Sequence, residues 1–237
     1  MFQPTASPPK NAVGLIFDLE GFSRFFNQPD VSDYLPRFLN HVFDAVEISL
    51  QGGDAYWMGK KYASLEFTVA QRKFMGDGAL YVLLPEKGKA AFSIDELSVL
   101  CNRLWYLKGN FSRVLERCAE DVPVVDLPRR IRFGLARGSV IELREATDDS
   151  TEYVGFCINL ASRLQKYCPH LGFIASARMG LKQTDLDKHG YIKTVATAIK
   201  GFPEEIVLVD KREMADFEKE NKQLFASLFR HMNQKSG

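Results

Sequence analysis

The sequence predicts an α/β fold of the α+β kind, an antiparallel sheet backed by helices, and three features carry that expectation. A short apolar run, AVGLIFD at residues 12–18, has the character of a buried strand ending on an acidic residue. Two longer segments repeat apolar residues at threes and fours, the spacing of a single helix face. Between them, MGDG at residues 75–78 separates two strand-like runs as a hairpin turn does.

Taken in order, residues 1–10 are polar and Pro-rich and read as a flexible tail ahead of one domain over 11–237. After the first strand, GFS at 21–23 places Ser23 to cap a short helix. From Asp33, the residues Leu35, Phe38, Leu39, Val42, Val46 and Leu50 line a helix face. Pro36 is tolerated in its first turn, and Gly52-Gly53 ends it. Residues 62–74 and 79–84 are the hairpin arms. Ser93 and Glu96 make a capping box for a long helix reaching Cys118, with Ile94, Leu97, Leu100, Leu104, Leu107, Phe111 and Val114 inward. Residues 129–143 read as a strand or hairpin arm, and FCINLASRLQKYC at 156–168 as a helix. A turn and a last strand follow at 196–210, and residues 211–232, rich in Lys and Glu, suit a solvent-facing terminal helix. Strand, helix, hairpin, helix, strand matches a split βαβ, ferredoxin-like layout.

Composition narrows the function classes. The 237 residues suit one large domain, and 46% hydrophobic with 26% charged residues is ordinary for a soluble globular protein. A formal net charge of +1 leaves no broad basic field, so neither nucleic acid nor an anionic membrane is an expected partner. Cys101, Cys118, Cys157 and Cys168 lack C-x-x-C spacing and read as buried thiols in a reducing compartment. The polar start lacks the apolar run of a signal peptide, and no stretch approaches the roughly 20 apolar residues of a membrane-spanning helix. A cytoplasmic location is expected.

Chemistry concentrates in three segments: residues 15–23, residues 73–79, and residues 132–138 followed by 152–163. Asp18, ending a buried strand, and Asp77, in a hairpin turn, converge when their strands are neighbours. Two carboxylates so placed can bridge hard cations such as Mg2+ or Mn2+. Two such ions about 3.5–4 Å apart can polarise an attacking hydroxyl and a departing oxygen together. The turn after Asp18, through Phe22 and Ser23, offers backbone N–H groups at a helix start, which favour phosphate oxygens. Singly these residues are ordinary: a strand-end acid, a turn acid, and Asn159 with Arg163 as a surface pair on a helix. Their joint arrangement is far less expected by chance.

That arrangement resembles the class III nucleotidyl cyclase catalytic domain over roughly residues 12–210. The family's D-[IL]-x-G-F-[ST] appears within FDLEGFS (17–23), its K-x-x-G-D as KFMGD (73–77), and its V-N-x-A-x-R as INLASR (158–163). The resemblance implies a head-to-tail homodimer with active sites at the interface. It assigns two divalent metal ions to Asp18, Asp77 and the Leu19 backbone carbonyl. Triphosphate binding falls to Arg132 and Lys200, ribose orientation to Asn159, and charge neutralisation at the α-phosphate to Arg163. Lys73 and Glu152 occupy the two base-reading positions. In the family these two, with Asn159 and Arg163, face the metals of the other subunit, so a homodimer of this chain would complete two equivalent sites.

Three departures from a common purine cyclase bear on the base. Residues 54–72 form a long insert between Gly53 and Lys73, Ala136 replaces the family's His in GLARG, and the expectation is of a cyclase with no sensor or membrane domain attached. A free-standing cyclase whose start reads FDLEGFSRFFNQPDVSDYLPRFLN resembles the pyrimidine cyclases of bacterial anti-phage (Pycsar) systems. This implies conversion of UTP, or next CTP, to cyclic UMP or cyclic CMP, which would activate a separate effector. Base-edge chemistry leaves the choice open, because a Lys donor and a Glu acceptor suit uracil, cytosine and adenine alike. The insert's Tyr56, Trp57 and Tyr62 either fill the space of a purine or form an extended hairpin or dimer contact. An adenylate cyclase making cyclic AMP, and an inactive nucleotide-sensing domain, are the alternatives. A GGDEF-type diguanylate cyclase lacks its motif, since Gly52-Gly53-Asp54 continues as Ala-Tyr.

Overall fold

A computed structural model describes residues 4–122, 126–145 and 148–232. Its strands are β1 (Pro4–Ala6), β2 (Lys10–Glu20), β3 (Gly53–Ala55), β4 (Lys60–Tyr62), β5 (Phe67–Phe74), β6 (Gly78–Pro85), β7 (Arg130–Glu145), β8 (Asp148–Gly155), β9 (Phe173–Ser176), β10 (Tyr191–Ala196), β11 (Glu205–Asp210) and β12 (Phe229–His231). Its helices are α1 (Phe22–Phe26), α2 (Val31–Gln51), α3 (Ile94–Gly109), α4 (Phe111–Cys118), α5 (Phe156–Tyr167), α6 (Gln183–His189), α7 (Lys211–Glu220) and α8 (Lys222–Leu228).

The apolar run at 12–18 lies in β2, at the centre of a ten-stranded sheet ordered β12-β10-β11-β9-β7-β2-β6-β5, with β1 and β8 also paired to β7. Every pairing in it is antiparallel except β7 with β9. Alternate residues of the central strands serve opposite faces. Leu15, Phe17 and Leu19 pack with Phe38, Val42, Leu97 and Leu104 of the α2–α4 layer. Ala12 and Ile16 pack with Leu160 and Leu164 of α5, and Phe217 and Phe225 complete that second layer. The sheet is therefore sandwiched, as an antiparallel sheet backed by helices.

Several local expectations hold. The Ser93–Glu96 capping box is formed in both directions. The four cysteines are free and buried. No helix among the described residues is long and apolar enough to cross a membrane.

Others are corrected. Residues 4–6 of the expected tail pair with β7, and β2 begins at Lys10 because pairing with β7 extends it beyond its apolar run. Ser23 lies inside α1, whose N-cap is Gly21 at φ +91° with no side-chain cap. Pro36 is not in the first turn as expected: α2 starts at Val31, which places Pro36 in the second turn, inside the helix. The expected long helix 93–118 breaks into α3 and α4 at Asn110, whose side-chain amide donates to the Tyr106 carbonyl at 2.8 Å. Asn beside Gly109 favours such local bonding over a continuous helix. The first hairpin arm begins at Phe67, since Tyr62 belongs to the separate β3–β4 pair. The terminal segment is not one solvated helix: α7, α8 and β12 turn so that Met214, Phe217, Phe225 and Phe229 are all buried.

The insert's rings are also placed. Trp57 and Tyr62 are buried in the core on the α2–α4 side, and Tyr56 meets Trp57 edge-on. Arg113 of α4 donates to the Trp57 carbonyl at 2.9 Å. Buried in this way, Trp57 and Tyr62 are spent on the chain's own core, and the idea that they fill a purine's space loses its basis.

Candidate active site

Antiparallel register builds the acidic end of the site. Asp18 stands across from Gly78 on one side and Arg132 on the other. A Cβ at position 78 would overlap the Phe17 carbonyl oxygen, so only glycine permits this approach of the hairpin to β2. Gly76, at φ +88°, takes the first central position of the two-residue loop, closed by Met75 N–H donating to the Gly78 carbonyl at 2.9 Å. The Leu19 N–H donates to the Asp77 carbonyl at 2.9 Å, tying the loop to the end of β2. In an extended strand one residue's N–H and C=O face the same neighbour, which turns the Leu19 carbonyl toward the Asp77 loop.

Asp18 is held by Arg132 in a bidentate pair, with Nε to Oδ1 at 2.9 Å and Nη2 to Oδ2 at 2.6 Å. Burial works to lower the Arg132 pKa, but Asp18's hydrogen bonds and the charges of Asp18, Glu20 and Asp77 outweigh it and raise it. All three carboxylates therefore act on this guanidinium. The first-turn N–H groups of Phe22 and Ser23 follow directly after β2 and Gly21.

Asn159 and Arg163 are both exposed, four residues apart on the outer stripe of α5. The opposite stripe, with Leu160, Ala161 and Leu164, is buried on the sheet. At Gly134 any Cβ would overlap the Ala161 carbonyl oxygen, so the helix lies directly on the backbone of β7. This mounting turns Asn159 and Arg163 away from the sheet that carries Asp18. Lys200 is exposed in the tight turn between β10 and β11, where Phe202 N–H donates to the Ile199 carbonyl at 3.0 Å. Phe202 packs edge-on against Phe156 at the start of α5, so Lys200 stands by that helix and not in the Asp18–Arg132 pair.

Lys73 and Glu152 do meet, at 2.9 Å, although 79 residues separate them. Their meeting depends on a bulge. Val69 pairs with Leu83, but Gln71 pairs with Val82, leaving Ala70 as the extra residue. Before the bulge Val69 packs toward the α2–α4 layer with Leu83. After it, Lys73 shares the opposite face with Leu80, while Arg72 and Phe74 turn to α2, contacting Glu47 and Phe43. A one-residue shift exchanges the two faces of a strand. Sequence reading missed both the bulge and Gln71, whose amide donates to the second Glu152 oxygen at 2.7 Å. A signal was present: apolar residues fall at 67 and 69 but then at 74, a change of parity that a bulge accounts for.

Hydrogen bonds from Lys73 and then Gln71 hold the Glu152 carboxyl below its usual range, leaving it an ionised acceptor. Cavities lie elsewhere: one of about 700 Å³ between the end of α3 and the start of α7, another of about 460 Å³ between α2 and β5. Neither is lined by Asp18, Asp77, Asn159 or Arg163.

No protein-family model and no curated protein matches this chain. Solved structures do. The chain is similar to the adenylyl cyclase CyaB from P. aeruginosa, at 16% identity over 86% of this chain and 95% of that one, with a TM-score of 0.61. It is similar to the guanylyl cyclase Cya2, at 18% identity over 87% and 93%, with a TM-score of 0.59. A class III adenylyl cyclase-like ATP-binding protein from Pseudomonas aeruginosa aligns at 18% identity over 76% of this chain and 34% of that one, with a TM-score of 0.52. The fold is that of class III nucleotidyl cyclase domains.

Proposed function

We propose that this chain is a nucleotide cyclase converting a pyrimidine nucleoside triphosphate, UTP before CTP, to its 3′,5′-cyclic monophosphate and pyrophosphate. The observation that carries the cyclase reading is the placement of Asp18, Arg132 and the Asp77 loop at one end of the sheet, with Asn159 and Arg163 facing outward on α5. Residues of one chain that face away from its own acids suit a site closed by a second copy, and a head-to-tail homodimer makes two such sites.

Asp18, Asp77 and the Leu19 carbonyl form a hard-oxygen donor set that fits Mg2+ or Mn2+. Among the described residues no three acidic, His or Cys side chains cluster as a metal cage. Magnesium is commonly held by one or two carboxylates with substrate phosphates and water, so two acids suffice. Two bound ions would acidify the ribose 3′-hydroxyl and offset phosphate charge. To admit them Asp18 must release at least part of its bond to Arg132, and the freed guanidinium is then available to the triphosphate. Arg132, Lys200 and the N–H groups of Phe22 and Ser23 hold the phosphates. Asn159 orients the ribose, and Arg163 offsets charge building on the α-phosphate. The 3′-oxygen bonds to the α-phosphorus, the bond to the β-phosphate oxygen breaks, pyrophosphate leaves and the hydroxyl proton passes to solvent. Catalysis rests on positioning and charge stabilisation.

Lys73 donates to, and Glu152 accepts from, the base edge. The pyrimidine preference rests on the resemblance of residues 17–40 to the anti-phage cyclases, and so do the second-messenger role and the separate effector. The Asp18–Arg132 pair favours a second reading, a domain that binds nucleotide without turnover. Incubating the purified protein with each of the four triphosphates and Mn2+, then identifying the product, tests these readings. Cyclic UMP should dominate. Cyclic AMP alone would overturn the pyrimidine assignment, and binding without any cyclic product would favour the sensor.

A further inference from the structure

We propose that Gln71, carried to the Glu152 side of β5 by the bulge at Ala70, is a positioning residue that sets base selectivity by fixing the Glu152 carboxylate. The inference rests on the cyclase reading above and extends it to a residue outside the Lys73–Glu152 pair.

The geometry is specific. Gln71 and Lys73 are two apart on one strand after the bulge, so their side chains lie on one face. Each takes a different oxygen of the same carboxylate, Lys73 Oε1 at 2.9 Å and Gln71 Oε2 at 2.7 Å. Held at one oxygen only, a half-exposed carboxylate turns about its last bond. Held at both, it has a fixed plane, and its remaining lone pairs point in fixed directions. A base that presents an N–H donor is then read by direction as well as by charge. The carboxylate must receive an N–H, which orients the Gln71 amide and leaves Oε1 buried without a partner. A buried acceptor without a partner is costly, so the amide is oriented by Glu152 and not by its own solvation. The donors also keep Glu152 ionised, in line with an acceptor role.

The test compares wild-type full chain with Gln71→Met, similar in length without a donor, and Gln71→Glu, which adds a repelling charge. Turnover of UTP, CTP, ATP and GTP with Mn2+ is followed by product identity, with inhibition by inorganic tripolyphosphate as a probe of the phosphate site alone. Gln71→Met should raise KM for the preferred triphosphate about tenfold with little change in kcat, and lower its preference over the next base by a similar factor. Gln71→Glu should do more. Tripolyphosphate inhibition should stay as in wild type. Unchanged KM and selectivity in Gln71→Met would overturn the proposal while leaving the cyclase reading intact. Equal weakening of tripolyphosphate would overturn it too, by marking Gln71 as general scaffold. A wild-type chain that neither binds nor turns over any of the four nucleotides would overturn both.

Discussion

The Asp18–Arg132 end of the candidate site and its Lys73–Glu152 end are built on different principles. Asp18 and Arg132 stand on the two central strands, their side chains only 16% and 17% exposed, and their partnership follows directly from cross-strand register. Lys73 and Glu152, with side chains 56% and 51% exposed, come from the edge strand β5 and from β8, and meet only because a bulge turns one of them over. The difference separates what is costly to move from what is free to change. Shifting Asp18 would disturb β6 and β7 together. Altering the Lys73–Glu152 set needs only edge-strand substitutions, or a bulge one residue earlier or later. Under the proposed function, chemistry sits on the rigid part and choice of substrate on the adjustable part.

That contrast can be broken by experiment. The largest effect should come from Asp77→Asn, which keeps the loop geometry but removes the charge proposed to bind metal. A fall in kcat of about a thousandfold is expected with the melting temperature unchanged, and full activity would remove the metal assignment. Arg163→Ala should lower kcat by about a hundredfold. Mixing it with Asp77→Asn tests sharing between subunits: half the dimers would be mixed, each with one intact site, so about a quarter of wild-type activity should return. No recovery after confirmed subunit exchange would place both residues in one chain's site.

Arg132→Ala should act on both sides of the ion pair. KM for the triphosphate should rise about tenfold, while Mn2+ alone, followed by its electron paramagnetic resonance signal, should bind more tightly because Asp18 is released. Weaker Mn2+ binding would mean that Arg132 supports the acidic end and does not compete for it. Ser93→Ala, remote from either end, should cost only about 1 kcal/mol through loss of the cap. The melting temperature would fall by about 2–4 °C. Its catalytic constants should match wild type, which makes it the control for loss of stability alone.

Much of this architecture is legible in the order of the amino acids. The β2 run, the α2 face, the α3 cap and the hairpin turn each depend on neighbours within a few residues, and spacing records such neighbours faithfully. Most of the errors share one cause. The β1 pairing and the folding back of α7, α8 and β12 answer to partners distant in the chain, as does the core position of the insert's rings; the Asn110 break is local, a side-chain bond to the Tyr106 carbonyl that apolar spacing does not record. At the candidate site, Asp18, Asp77, Asn159 and Arg163 are visible as residue types in order. Gln71 is not, because its partner lies 81 residues away.

The sequence by itself therefore determined which groups are available: an acid at a strand end and an acid in a hairpin turn, a helix bearing Asn159 and Arg163, and a Lys and a Glu at the proposed base-reading positions. Only the tertiary structure decided how they pair. Cross-strand register joined Arg132 to Asp18, and a single extra residue at Ala70 turned Lys73 and Gln71 toward Glu152. The physical reason is that a strand's spacing defines its two faces, while which face meets which partner depends on hydrogen-bond registers formed with remote segments.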